Sequence, residues 1–289
     1  MKAMQWVLTV VAVVAALSTT PITAGADTVL TAFGLTADQR LVRFRTDNPS
    51  RLRIVGSVFG LKAPDTALVG IDFRVQDKKL YGVGNGGGIY TINRNTAQAT
   101  LAPAPVSRLT VSLDGDFFGV DFNPAANALR IVSNTGQNLR HPFAGPTAGQ
   151  TQTDGPLNYP VPAGTTAPDP VITGAAYTNN DIHPNTGTTL FGIDTSLNQV
   201  VIQSPPNAGS LVATGQLTID PDTQLGFDIY SSRRTFGSLT GSNLGFASIM
   251  AGGGTGLYRI NLLTGRAALI WTIPHQVVDI AIQPSLLLP

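Results

Sequence analysis

Three aspartates recur at one place in a repeated sequence unit, and they are the side chains with most chemistry to offer. The unit opens GIDF at Gly70, GVDF at Gly119 and GFDI at Gly226, which sets Asp72, Asp121 and Asp228 two positions after a glycine each time. Residues two apart on a strand share a side, so Gly and Asp face one way while Ile, Val and Phe face the other. Three carboxylates at one level could hold a hard cation, because Ca²⁺ takes several oxygen ligands and carboxylates add charge. The competing expectation is that each Asp accepts hydrogen bonds from backbone N–H groups of its own or the next unit. Two more copies, GAAY at Gly174 and DIAI at Asp279, carry Ala176 and Ala281 at the equivalent position, and no D-x-D-x-D-G loop occurs. No cofactor is therefore expected, with a structural Ca²⁺ as the exception the pattern leaves open.

A basic group comes next. Arg43, Arg45, Arg51 and Arg53 flank the turn Thr46-Asp47-Asn48-Pro49-Ser50. Simple alternation sets Arg45 opposite Arg51, Phe44 opposite Leu52 and Arg43 opposite Arg53, with all four guanidinium groups on one side. Like charges directly opposite are destabilising. An anionic ligand, such as an acidic glycan or a phosphate-bearing surface, would relieve them. The alternative is a solvated outer face with Asp38 and Asp47 offsetting part of the charge, where exposed charges matter little. Arg233, Arg234 and Phe236 form a second ligand-binding candidate in the long loop of residues 231–243, since loops on a rigid frame carry recognition.

Catalytic machinery is sparse. His141, His183 and His275 each neighbour a proline, and in an up-and-down blade His275 falls on the face opposite the other two. A three-His metal site is not expected. The chain has no G-x-S-x-G and no H-E-x-x-H. Gly84 and Gly86–Gly88 lie between two strands and read as a hairpin turn, not a phosphate cradle. No catalytic residue is assigned, although paired Asp carboxylates could serve a glycosidase.

The elements that must position these groups follow from the repeat. Copies of the unit start at Gly70, Gly119, Gly174, Gly226 and Asp279, spaced 49, 55, 52 and 53 residues apart. Second, third and fourth strands follow in most copies, for example Leu80-Tyr81-Gly82-Val83, residues 89–92 and Ala99-Thr100-Leu101. In the second copy the fourth strand is obscure and is placed near residues 156–159. The fifth copy has only its first strand, and residues 28–33, 41–44 and 52–58 supply the other three from the start of the chain. Sharing a four-stranded unit between the two ends closes a ring and leaves no inner edge unpaired. The expected fold is an all-β propeller of five four-stranded blades, with Ile280 against Leu30 and Thr31. Six blades is the rival, because residues 145–170 could hide further strands.

Composition agrees. Only 12% of residues are charged, all 17 acidic residues are Asp, and Lys occurs four times. Helix surfaces favour Glu and Lys, and 31 Gly with 20 Pro punctuate the chain into short strands. Lys2, the apolar run 7–17 and Ala24-Gly25-Ala26 before Asp27 read as a signal peptide over residues 1–26. Residues 27–289 are then a single propeller domain. The apolar run falls short of the roughly 20 residues a spanning helix needs, so no transmembrane segment is expected after cleavage. Removing Lys2 leaves 17 basic and 17 acidic residues. A neutral chain lacks the footprint for nucleic acid, and the absence of cysteine excludes disulfides and thiolate chemistry.

The segment DFNP with LRIVSNTGQNLR in the second copy, DGPLNY from Asp154, AAYTNN from Ala175 and GLYRINLLTG from Gly256 resemble an exported bacterial family catalogued as domain of unknown function 4394. The likeness covers essentially all of residues 27–289, and TGQNLR is its most distinctive part. It implies a propeller-like repeat and no activity, cofactor or catalytic residue. The expected function is a secreted (periplasmic or extracellular), non-enzymatic binding or scaffold module for an unidentified extracellular ligand or partner, an anionic glycan being one candidate. A hydrolase or lyase on extracellular glycan, using the Asp carboxylates, is the alternative, and a self-assembling surface component the third.

Overall fold

A computed structural model of the chain describes residues 29–179, 181–182, 185–232 and 242–284. The segment 1–26 lies outside them. The described residues form five four-stranded antiparallel sheets arranged as a five-bladed β-propeller. The chain enters through β1 (Thr31–Thr36), β2 (Arg40–Arg45) and β3 (Asn48–Ser57). Blade one is β4 (Leu68–Arg74), β5 (Lys79–Gly84), β6 (Ile89–Ile92) and β7 (Ala99–Leu101). Blade two is β8 (Phe118–Asn123), β9 (Ala128–Ser133), β10 (Asn138–Pro142) and β11 (Gln152–Thr153). Blade three is β12 (Ile172–Tyr177), β13 (Leu190–Asp194), β14 (Gln199–Gln203) and β15 (Leu211–Gln216). Blade four is β16 (Leu225–Ser231), β17 (Asn243–Ala251), β18 (Gly254–Ile260) and β19 (Ala267–Ile273). The last strand, β20 (Val277–Ile282), returns to β1 and completes blade five in the order β20-β1-β2-β3.

The closure expected from the repeat is present, in a different register. Ile280 lies opposite Gly34, further along β1 than Leu30 and Thr31, and Ile282 lies opposite Ala32. The inner strands β4, β8, β12, β16 and β20 touch in cyclic order, the last returning to the first. Within residues 145–170 the one strand is β11, which pairs with β10 at Leu139 and Arg140. That strand, not residues 156–159, is the fourth of blade two, and it is short because prolines and glycines crowd the segment after it.

Five hydrophobic clusters hold the ring, one between each pair of neighbouring blades. Strand alternation builds them. On β5, Leu80 packs toward blade five and Tyr81 toward blade two. On β13, Leu190 packs toward blade two and Phe191 toward blade four. A strand buried on both faces reads as a nearly continuous apolar run, which is the pattern of β9, β12 and β16. Among the described residues helix is confined to one 3₁₀ turn, Pro206–Ala208, and no helix is long and apolar enough to cross a membrane.

Candidate functional site

The inner strands converge closely because glycine stands where they cross. A Cβ added at Gly70, Gly119, Gly174 or Gly226 would meet an atom of the next blade at 2.5–2.7 Å. Two residues on, the aspartates reach across the same junctions. Asp72 Oδ2 accepts the backbone N–H of Phe122 at 2.7 Å, and Asp121 Oδ1 accepts that of Tyr177 at 3.1 Å. Asp228 Oδ2 likewise accepts from Ile282 N, and Asp228 Oδ1 from its own Ile229 N. In each bond that crosses a junction the acceptor sits one blade before its donor. Where the preceding blade carries Ala176, there is no carboxyl to offer, and Ile229 N turns to Asp228 of its own blade.

At the junction of blades five and one, Ala281 is the second residue lacking a carboxyl, and a fourth acid takes over. Asp279 Oδ2 accepts Ile71 N at 2.7 Å, and its Oδ1 accepts Ile280 N at 2.9 Å. This residue was not identified from the repeat, because alignment sets it against the glycines. Its departure from glycine was the only signal.

The structure brings Asp72, Asp121 and Asp228 together as the repeat predicts, with one carboxylate oxygen of each within 4.8 Å of the others. All three, and Asp279, are buried. Burial pushes the four carboxyls above the ordinary range, with the neighbouring carboxylates adding to the rise at Asp72 and Asp121. Asp228 is raised to about 6, again by burial. A hard cation could bridge oxygens at this spacing, in competition with the backbone N–H groups bound to Asp228 and to one oxygen each of Asp72 and Asp121.

The glycine-rich hairpin also surrounds an anion, and that anion belongs to the protein. Gly84 N donates to Gly88 O, closing the turn. Inside it, the buried Asp65 carboxylate accepts from Gly86 N, Gly88 N, Tyr90 Oη and Arg108 Nη2. Burial opposes its charge, yet these donors more than offset the cost and hold the carboxyl below its usual range.

The four arginines lie on β2 and β3 of blade five, and Arg43 reaches the junction with blade one. Arg43, Arg45, Arg51 and Arg53 are all exposed. Arg43 faces Arg53 as alternation predicts, but Arg45 faces Asn48 instead of Arg51. The hairpin turns tightly at Thr46-Asp47, and β3 bulges before Arg53, so simple alternation fails between them. Arg45 spends its charge on Asp47 at 3.0 Å. Arg43 instead lies over the Phe33 ring at 5.9 Å, and Arg94 of blade one lies over the Phe73 ring at 5.7 Å. The two rings meet edge to face at 5.8 Å across the junction.

Above them runs a groove of about 680 Å³ lined by Arg43, Lys78, Lys79 and Arg94, with Asp77 as its acid. Asp77 is committed to Arg74 Nη1 and Tyr81 Oη, both at 2.8 Å. Lys78, Lys79 and Arg94 were missed because they belong to another blade, with no local pattern linking them to Arg43. Arg233, Arg234 and Phe236 fall outside the described residues, as does His183. His141 is buried in blade two with Nδ1 3.0 Å from Thr151 Oγ1. His275 lies near Asp38, whose carboxyl is held below its usual range chiefly by the hydrogen bond from Thr36. Among the described residues no histidine joins the acidic cluster.

A family model described as domain of unknown function (DUF4394) matches residues 40–281. No curated protein matches. Among solved structures, a Bacteroides thetaiotaomicron protein of unknown function is 10% identical, with a TM-score of 0.46 over 83% of this chain and 55% of that one. PorZ, a surface component of the type-IX secretion system of Porphyromonas gingivalis, is 14% identical, with a TM-score of 0.39 over 86% of this chain and 27% of PorZ. A Lactobacillus plantarum protein is 15% identical, with a TM-score of 0.38 over 88% and 99%. The chain thus spans about half or less of the first two, and at TM-scores below 0.5 none of these likenesses bears on function.

Proposed function

The chain belongs to the DUF4394 family, and on that premise we propose that it is an exported, non-enzymatic propeller that binds an anionic extracellular ligand, an acidic glycan foremost. The groove between blades five and one carries the reading. Four cations line it against one carboxylate, and that carboxylate is already neutralised by Arg74. Arg43 and Arg94 have no carboxylate partner among the described ion pairs, and the paired Phe33 and Phe73 rings position both guanidinium groups. Such stacking leaves the planar N–H fork free for carboxylate or sulfate. The export component rests on the leader-like pattern of residues 1–26. Support for a non-enzymatic role comes from the channel carboxyls, whose oxygens serve backbone N–H groups between blades.

Binding of polygalacturonate, heparin and uncharged dextran at rising NaCl tests the proposal. The two polyanions should bind, weaken with salt as exposed charges are screened, and lose about tenfold or more in affinity with Arg43→Ala plus Arg94→Ala. Equal binding of dextran, or binding indifferent to salt and to the double substitution, would overturn it.

A further inference from the structure

We propose a second binding site, for a small organic carboxylate, in the pocket between blades two and three that is built around Arg130. Its side chain is 2% exposed and is the largest of the fully buried ones among the described residues. Arg130 sits on β9 directly opposite Arg140 on β10, so two positive charges face each other across one strand pair. Asp154 bridges them. Its Oδ2 accepts from Arg130 Nη1 at 2.8 Å and Arg140 Nε at 3.1 Å, and its Oδ1 accepts from Arg140 Nη2 at 3.1 Å. Two arginines share one carboxylate, which leaves a surplus positive charge beside a cavity.

The remaining contacts show how Arg130 is held. Nη1 also donates to Asn138 Oδ1 at 2.6 Å, Nη2 to Asn207 Oδ1 at 2.9 Å, and Nε to Tyr177 Oη at 3.3 Å. A guanidinium has five N–H groups, and these partners account for four of them. One Nη2 hydrogen of Arg130 is left over, as are one Nη2 and both Nη1 hydrogens of Arg140. Asn138 is itself fixed, donating to Gly155 O and Pro206 O and accepting from Gln203 Nε2. The donors are therefore pre-organised before any ligand arrives, which lowers the cost of binding. Nearby Asp121 is engaged with Tyr177 N and forms no ion pair with Arg130 among the described ones.

The cavity beside them holds about 320 Å³ and is lined by both arginines, Tyr177 and Asn207, with Leu129, alanines and the Pro205–Pro206 pair as an apolar wall. That volume is at the low end for small-molecule sites, and an apolar wall with a few converging polar groups is their usual make-up. The occupant that fits is a monoanion with a small body. Its carboxylate would take the unspent N–H groups of Arg130 and Arg140, and its body would lie on the proline wall. A sugar acid and the end of a peptide both present this group.

Calorimetric titration of the full chain with lactate, galacturonate and N-acetylglycine, each against its neutral amide, tests the site. Saturable binding of at least one acid is expected, with the amide weaker by about tenfold or more, the size of one charge-assisted hydrogen bond. The strongest of the three identifies the ligand source as hydroxy acid, sugar acid or peptide terminus. Arg140→Ala, at a side chain 31% exposed, should cost a similar factor while the protein still melts cooperatively. Absence of saturable binding by all three acids, or acid and amide binding alike, overturns the proposal without reference to any variant. Undiminished binding in a folded Arg140→Ala protein does so as well.

Discussion

The carboxylate of Asp279 occupies the space above Gly70. Its Oδ2 lies 3.0 Å from where a Cβ on that glycine would sit, and it accepts the N–H of the following residue, Ile71. One side chain thus joins the last strand of the chain to the first complete blade. Glycine at 70 makes room for it, and aspartate at 279 replaces the glycine that the other four copies carry at that position. The ring is closed both by the β20–β1 pairing and by this carboxyl.

Removing that acceptor should be costly. Asp279→Ala leaves Ile71 N buried without a partner, and a loss of about 1–3 kcal/mol is expected. Asp279→Asn keeps an acceptor oxygen and removes a charge that burial disfavours, so it should cost clearly less. Urea unfolding of the two variants checks this, and equal losses would remove Asp279 from the closure.

Stability should fall as pH rises through the weakly acidic range. Asp228 titrates near 3.8 when unfolded and near 6 when folded. The folded protein therefore holds the extra proton between those values. Its contribution is fully present below 3.8 and lost as pH rises through about 6, a change on the order of 3 kcal/mol. Asp65 works in the opposite sense, its lowered carboxyl giving stability that is lost as pH falls below 3.8. Unfolding measured across pH 4.5–7.5 in chelator should show the decline, and Asp228→Asn should lessen it, the raised carboxyls of Asp72, Asp121 and Asp279 acting in the same direction.

Calcium should leave the melting temperature unchanged. Both oxygens of Asp228 and one oxygen each of Asp72 and Asp121 already accept a backbone N–H, so a cation would have to compete with those bonds. Melting in millimolar Ca²⁺ and in chelator should coincide. A rise of several degrees with Ca²⁺, abolished by Asp121→Asn, would instead make the cluster a cation site.

Gly88→Ala should destabilise blade one. The added Cβ would stand 2.3 Å from Asp65 Oδ2 and 2.8 Å from the Tyr90 ring, breaking the cradle that keeps a buried carboxylate charged. A loss on the order of 1–3 kcal/mol is expected. Gly254→Ala, with nothing within 4 Å of its Cβ, serves as the control and should cost well under half as much in thermal or urea unfolding.

Much of the site was legible because it repeats. Asp72, Asp121 and Asp228 stand at one phase of the repeat, and one phase of a closed ring is one level around its axis. Asp279 was hidden by the same rule, since it stands at the glycine phase. The Arg45–Arg51 pairing failed because β3 bulges, and alternation carries no information through a bulge. TGQNLR stood out as a distinctive segment, yet its Asn138 and Arg140 acquire a role only beside Arg130, Asp154 and Asn207.

Period-two alternation and a recurring unit of about fifty residues are properties of the chain as written. They determine that it forms four-stranded blades, that there are five, and that the two ends share one, because each is set by neighbours along a strand or by the count of copies. Which polar groups meet was decided only when the blades were set side by side. Asp72 and Phe122, Arg43 and Arg94, and Arg130 and Asn207 are each about fifty or more residues apart; the first and last pairs hydrogen-bond, and the two arginines line one groove, across junctions whose spacing is set by apolar packing between sheets.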